Sequence, residues 1–416
     1  MRRVNEIGPV WLWLLASTVY VTAACTPGDA EPALAAGDRA LGDPVPMTSP
    51  AGLGAGEPFL SRASAGVLMS WLEPVEGGHA LKFAILRDSV WSGPRLIAEG
   101  TNWFVNWADF PSIIELPDGS LAAHWLERSG RQPYAYDVRI SFSADGESWT
   151  RPTMPHTDGT LTEHGFVSLF PWAGRLGAVW LDGRETGGGH GHAGAMTLRF
   201  GTLDRSGVVS DEALLDARVC DCCQTAVAQT SSGPVVAYRD RSADEIRDIS
   251  VTRLVAGAWT PPQTVHADNW EIAACPVNGP AIAAAGERVA VAWFTGAQDS
   301  ARVRLAFSDD AGATFGAPVR IDGGDPAGRV DVLLLEDGSA VVSWLEHTDS
   351  GAEVRVRHVS RSGLGDPVTV ARSSGERASG FPRMVRDGAG LVFAWTRPGD
   401  PAEVRTARLP LMLPGR

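Results

Sequence analysis

Between Arg302 and Ile321 the chain alternates apolar and polar positions, with Val303, Leu305 and Phe307 on one side and Arg302, Arg304 and Ala306 on the other. A period of two is that of a strand with one buried face. The run Ser308-Asp-Asp310-Ala-Gly312-Ala-Thr314-Phe315 then turns the chain back into Pro318-Val-Arg-Ile321. A short Asp side chain accepts hydrogen bonds from the N–H groups of its own turn, Gly permits φ > 0, and the closing aromatic packs beneath. A shorter turn of the same grammar, Ser143-Ala-Asp145-Gly146-Glu-Ser-Trp149, comes after the alternating strand Tyr136 to Phe142.

The pattern repeats. A hydrophobic strand ending in an aromatic recurs at Trp71, Trp125, Trp180, Tyr238, Trp293, Trp344 and Trp395, with spacings of 54, 55, 58, 55, 51 and 51 residues. Short strands, Gly turns and a period near fifty predict an all-β chain folded as a seven-bladed β-propeller of four-stranded antiparallel blades. Six blades with an extra hairpin is the alternative. The last repeat, from Phe381, holds only three strands, so Asp43 to Pro50 is the expected source of its outer strand.

Before the repeats, Arg2 and Arg3 precede an apolar run from Val10 to Ala24 that ends in small residues ahead of Cys25. This predicts an export signal over residues 1–25, a flexible tether over 26–57 and the propeller over 58–410. At 416 residues and 44% hydrophobic the chain can bury a large core. Its net charge is −13 and Lys82 is its one lysine. An acidic surface without a basic stripe argues against nucleic acid as a partner; a monomer is expected.

These residues carry two resemblances. Val21-Thr-Ala-Ala-Cys25 resembles a bacterial lipobox, which implies a lipid on Cys25 and an envelope lipoprotein. The Asp310 and Asp145 turns, with the repeat length, resemble the Asp-box (bacterial neuraminidase repeat) propellers of the sialidase superfamily over roughly 58–410. That family places its Asp-box turns away from the active site. It holds a substrate carboxylate with three Arg, attacks with a Tyr activated by a Glu and protonates with an Asp. The family's early Phe/Tyr-Arg-Ile/Leu-Pro motif is absent here, Phe59-Leu-Ser-Arg62 being the nearest stretch.

In a blade that starts at the axis, the loop entering the inner strand and the loop leaving the second strand open on one face. Carboxylates and guanidinium groups fill those loops, a rim suited to a glycan or other polar ligand. The catalytic candidates are Glu163, Asp182, Asp240 and Tyr238, with Glu163 paired to Asp182 or Asp240 as the expected carboxylate pair; Tyr238 also stands where packing aromatics stand elsewhere. The ligand-binding candidates are Arg184, Arg239, Arg241, Asp109, His164 and Asn278. Cys220, Cys222, Cys223 and Cys275 form an even set in an exported chain, which predicts two disulfides, one joining Cys222 or Cys223 to Cys275. The alternative is a Zn or Cu site made by Cys222 and Cys223 with His190 and His192. Function therefore divides into glycan binding, glycoside hydrolysis or lysis, and metal or redox chemistry at the Cys/His group.

Overall fold

The computed structural model describes residues 40–187 and 194–412. Cys25 with the export signal, and His190 with His192, lie outside the described residues. Strands pair into seven antiparallel sheets. The innermost strands are Gly56–Ala63, Ser112–Glu115, His164–Trp172, Ala226–Thr230, Ala281–Ala285, Pro326–Leu334 and Arg383–Asp387, which open blades 1 to 7. Each neighbours the next around a closed ring, the seventh meeting the first. Blade 2 has three regular strands, and its fourth place is taken by an irregular segment in which Thr153 bridges Ile140 and the Thr150 amide reaches Phe142 at 2.8 Å.

Blade 7 closes with a strand from the start of the chain. Val45–Met47 runs antiparallel to Glu403–Pro410, Val45 opposite Arg408 and Met47 opposite Thr406. Pro46 lacks an N–H and is tolerated because it stands on the outer edge. Ala40 and Leu41 are buried beside this strand, and Leu41 bridges Leu411. The tether read over 26–57 thus ends by residue 40; from there the chain belongs to blade 7 and then to the approach to blade 1.

The core is not one mass at the centre. Buried side chains form seven clusters, each between the faces of two adjacent blades. The repeating aromatic explains why: Trp71, Trp125, Trp180, Tyr238, Trp293, Trp344 and Trp395 each fall in a different cluster. One large ring per blade fills one seam, and the burial of such a ring stabilises by several kcal/mol, with truncation to Ala costing about 3–5 kcal/mol.

The Asp turns sit at the far end of the blades. Asp310 Oδ1 accepts from Thr314 N at 2.8 Å and from Ser308 Oγ at 2.7 Å, and Asp145 Oδ1 accepts from Glu147 N and Ser148 N, both at 2.8 Å. Arg205, in the corresponding turn of blade 3, reaches Asp118 in the inner turn of blade 2 at 2.9 Å. Both turn sets therefore share one face, and the loops that enter the inner strands share the other.

Candidate functional site

At that second face the inner strands begin with a repeated irregularity. The ladders slip after Gly56, Gly165 and Gly328, and the next residues, Glu57, Phe166 and Arg329, have φ of 52°, 53° and 54°. Bulges at a rim re-aim backbone groups. Here they present an amide to the preceding blade. Asp109 of blade 2 accepts from Phe166 N at 2.7 Å, Gln224 of blade 4 from Gly279 N at 3.0 Å, and Asn278 of blade 5 from Arg329 N at 2.7 Å. In blade 5 the glycine donates because Pro280 cannot. Close passage explains the glycines: a Cβ on Gly165 would lie 2.0 Å from Asp109 Oδ2, and one on Gly328 would lie 2.3 Å from Asn278 Oδ1.

Between blades 2 and 3 this clasp carries extra chemistry. The Tyr136 phenol oxygen is 2.9 Å from Asp109 Oδ2 and 2.8 Å from Glu163 Oε1. Tyr136 is stacked on Phe104 at 3.9 Å, which fixes its ring. A phenol has one proton to donate, and ionised carboxylates only accept. Two separate hydrogen bonds form when one carboxyl keeps its proton and donates it to the phenol oxygen; with both carboxyls ionised, the single O–H is shared between them. The two carboxyl oxygens lie at 2.9 and 2.8 Å from one phenol oxygen, so they are no further apart than the sum of those distances. Burial raises Asp109 to about 7, against the stabilising bonds from Phe166 N and Tyr136. Burial raises Glu163 to about 8; the Tyr136 bond opposes this, and the nearby charges of Asp109, Asp221 and Cys275 add to it. Burial and the same two acids push the Tyr136 phenol well above its usual value.

Asp109 also faces the axis. It lines a cavity of about 140 Å³ together with Asp331, Arg383, Phe59, Phe110 and Phe381. Asp331 accepts from Val332 N and Met384 N, both at 2.9 Å, and the Arg383 Nε is 3.5 Å away. The Arg383 guanidinium lies 4.9 Å from the Phe59 ring centre and 5.6 Å from that of Phe110. The axis thus offers one proton-sharing acid, one facing carboxyl, one guanidinium and a collar of aromatic faces.

The other expected site residues have different places. Asp182 is fully buried and accepts from Trp180 Nε1 at 2.8 Å and from the Arg184 fork at 2.8 and 2.7 Å. The same indole-to-acid bond joins Trp71 to Glu73, Trp125 to Glu127 and Trp344 to Glu346. These acids anchor the seam aromatics, a Trp-x-acid signature visible in the sequence. Asp240 accepts from Arg241 N and Ser250 Oγ. The partner of Glu163 is accordingly Asp109, because both carboxyls meet the Tyr136 phenol.

Tyr238 donates to Asp216 at 2.7 Å and packs in the seam between blades 3 and 4, so the tyrosine beside Glu163 is Tyr136. Arg239 is buried, lies 4.9 Å from the Trp270 ring centre and donates to the carbonyls of Asn278, Arg247 and Phe294 at 2.8, 2.6 and 2.7 Å. It holds backbone rather than ligand, as Asn278 does. Arg241 remains near the rim, paired with Glu245 at 2.7 Å and Asp221 at 3.1 Å. Tyr136 opens the third strand of blade 2, and nothing in its local pattern marks it apart from an inward phase.

The cysteines depart from expectation. Cys220 and Cys223 form the disulfide, their Cα atoms 5.8 Å apart, a separation that suits a bond within the run. Cys222 and Cys275 are thiols hydrogen bonded to each other. That bond draws Cys275 down to about 7, helped by Arg247 and Arg241 and opposed by burial and Asp221. Bonded Cys223 has no thiolate to give a metal, so the expected Cys222/Cys223 metal pair is not formed.

No family model matches the chain, and no curated relative matches it in sequence. Solved structures align with much of its length at low identity. An α-L-arabinanase from Penicillium chrysogenum aligns over 92% of this chain and 99% of its own, with 12% identity and a TM-score of 0.49. The polysaccharide lyase Uly1 aligns over 86% and 90%, with 10% identity and a TM-score of 0.48. The endosialidase of phage phi92 aligns over 89% and 69%, with 11% identity and a TM-score of 0.48.

Proposed function

We propose that this is an exported propeller, held to the envelope by a lipid on Cys25, that cleaves a polar glycan at its axial funnel by general acid catalysis. The observation that carries this reading is the Tyr136 phenol oxygen held 2.9 Å from the Asp109 carboxyl and 2.8 Å from that of Glu163. A trio with one carboxyl proton is an acid held near neutral pH by burial. Asp109 faces the cavity and is the group that reaches substrate. It gives its proton to the leaving glycosidic oxygen as the bond to the anomeric carbon breaks, a water forms the new bond to that carbon, and the water's proton returns to Asp109. Asp331, on the same cavity, stabilises the positive charge that develops on the sugar ring. Phe59, Phe110 and Phe381 offer faces for the ring, and Arg383 offers a fork for an acidic substituent.

The residue types also match the sialidase resemblance, which asks for a tyrosine, a glutamate beside it and an aspartate. Tyr136 is nearly inaccessible, so its part is to hold and pass the proton. The test is release of new reducing ends from a panel of neutral and acidic extracellular polysaccharides. Wild type should turn over an acidic member, and Glu163→Gln should lower the rate by about 100-fold or more at unchanged melting temperature. Full activity in that variant would remove the trio from the reaction.

A further inference from the structure

Behind the trio, on the side away from the axis, two histidines and three aspartates are buried together. His164 stands on the inner strand of blade 3, Asp137 on the third strand of blade 2, Asp182 at the end of the second strand of blade 3, and His156 and Asp158 on the connection between the blades. The His164 Nδ1 is 3.3 Å from the Tyr136 carbonyl oxygen, which can only accept, so Nδ1 carries the hydrogen. The other nitrogen, Nε2, points at Asp158 Oδ1, 3.3 Å away, and at Asp182 Oδ1, 3.8 Å away. Among the described residues, neither His164 Nε2 nor Asp158 Oδ1 makes a hydrogen bond. Their side chains are 0% and 8% exposed, so bulk water barely reaches them.

Acceptor atoms facing one another in a dry place are unfavourable unless a cation lies between them. Thr160 already serves the other oxygen of Asp158, which leaves Oδ1 for this purpose. Arg184 supplies part of the missing charge. It forms a two-bond fork on Asp182 and stands 3.5 Å from Asp158, an ion pair without a hydrogen bond. The His156 ring lies parallel to that of His164 at 3.8 Å; its Nε2 accepts from Val138 N at 3.4 Å, so its Nδ1 carries the hydrogen and faces the same Asp158 oxygen at 3.4 Å.

We infer that His164 Nε2, Asp158 Oδ1 and Asp182 Oδ1 form a binding site for a divalent transition-metal ion such as Zn²⁺. Mixed imidazole and carboxylate donors suit such ions rather than Ca²⁺ or Mg²⁺. Donation of the far ring N–H to a backbone carbonyl is the usual way a ligating histidine is oriented. The three donor atoms already lie within 4.8 Å of one another. The ion would tie the connection to both blades and, through His164, brace the neighbouring Glu163. It is distinct from any Cys/His centre, and it stands whether or not the protein cleaves glycans.

The experiment titrates zinc chloride into untagged full-length protein stripped with EDTA, by calorimetry, and tracks thermal melting in parallel. Wild type should bind one Zn²⁺ per chain at this site and melt higher when loaded. Asp158→Asn, nearly isosteric, should weaken binding by about 100-fold or more and abolish the rise in melting temperature. His164→Gln should do the same, and Asp158→Asn keeps the test decisive where His164→Gln fails to fold. The double variant His190→Ala/His192→Ala and the variant Cys275→Ser should keep the ion. Absence of binding by stripped wild type to Zn²⁺, Mn²⁺ or Cu²⁺ would overturn the inference, as would full binding by Asp158→Asn.

Discussion

The seam between blades 5 and 6 and the seam between blades 2 and 3 are made with the same backbone device and different chemistry. In the first, Asn278 passes beneath Gly328 and accepts from Arg329 N, while its own amide donates to Ala327 O at 3.2 Å. Every polar atom is served without a proton to share. In the second, Asp109 passes beneath Gly165 and accepts from Phe166 N, but a carboxyl has no amide to donate. Its second oxygen needs the Tyr136 phenol, and the phenol also engages Glu163. An amide would make the less costly clasp, because an isolated buried carboxylate costs several kcal/mol unless it is neutralised. The molecule keeps a titratable clasp at a seam where the phenol bonded to the cavity-facing carboxyl also engages a second acid. Costly, unnecessary polarity of that kind marks a working site more often than a fold requirement.

The two seams should separate most sharply through their glycines. A methyl at Gly165 must displace Asp109, and a methyl at Gly328 must displace Asn278. Both Gly→Ala variants should lose on the order of 1–3 kcal/mol of stability, from overpacking at each and from the left-handed Gly328 as well. Glycan turnover should vanish in Gly165→Ala and persist in Gly328→Ala, with each variant assayed below its melting temperature. Equal losses of turnover in both would mean that the seams do not differ in function.

A smaller effect lies in the pH dependence of stability. Asp109 has its folded-state value raised to about 7 by burial, so its contribution is fully present below the unfolded value of about 4 and is lost as pH rises toward 7. Melting temperature measured from pH 4 to pH 8 should fall more steeply in wild type than in Asp109→Asn. Parallel curves would show that Asp109 ionises as freely folded as unfolded.

The smallest expected effect is at the opposite face. Asp310→Ala removes turn bonds from Thr314 and Ser308. Stability should drop by about 1–3 kcal/mol in a denaturant titration, and turnover measured in the folded variant should stay at the wild-type rate. Loss of turnover there would place the site on the turn face.

The legible part of the sequence was its strict repetition. One aromatic per seam made the blades countable, and the three-stranded last repeat pointed to the closing strand, which the structure supplies as Val45–Met47. The site was less legible because it depends on which neighbour a side chain meets. Arg239 and Arg241 are two residues apart, yet one is spent on three carbonyls, two of them in the next blade, while the other pairs at the rim. Asp182 resembles a rim acid in sequence and serves Trp180 in the fold. Tyr136 begins an ordinary strand, and only the approach of Glu163 from the following blade gives it a second acid. Strand period predicts facing, whereas partnership across a seam is a property of the closed ring.

If Asp109 is the clasp that does chemistry, glycan turnover by Asp109→Asn, measured beside Asn278→Asp, reads it directly. The first substitution gives the working seam the amide of the quiet one, with almost no change of shape. Its turnover should fall by at least about 100-fold with the fold intact, while Asn278→Asp keeps the wild-type rate. Undiminished turnover in Asp109→Asn would show that the proton comes from elsewhere, since an amide at that place has none to give.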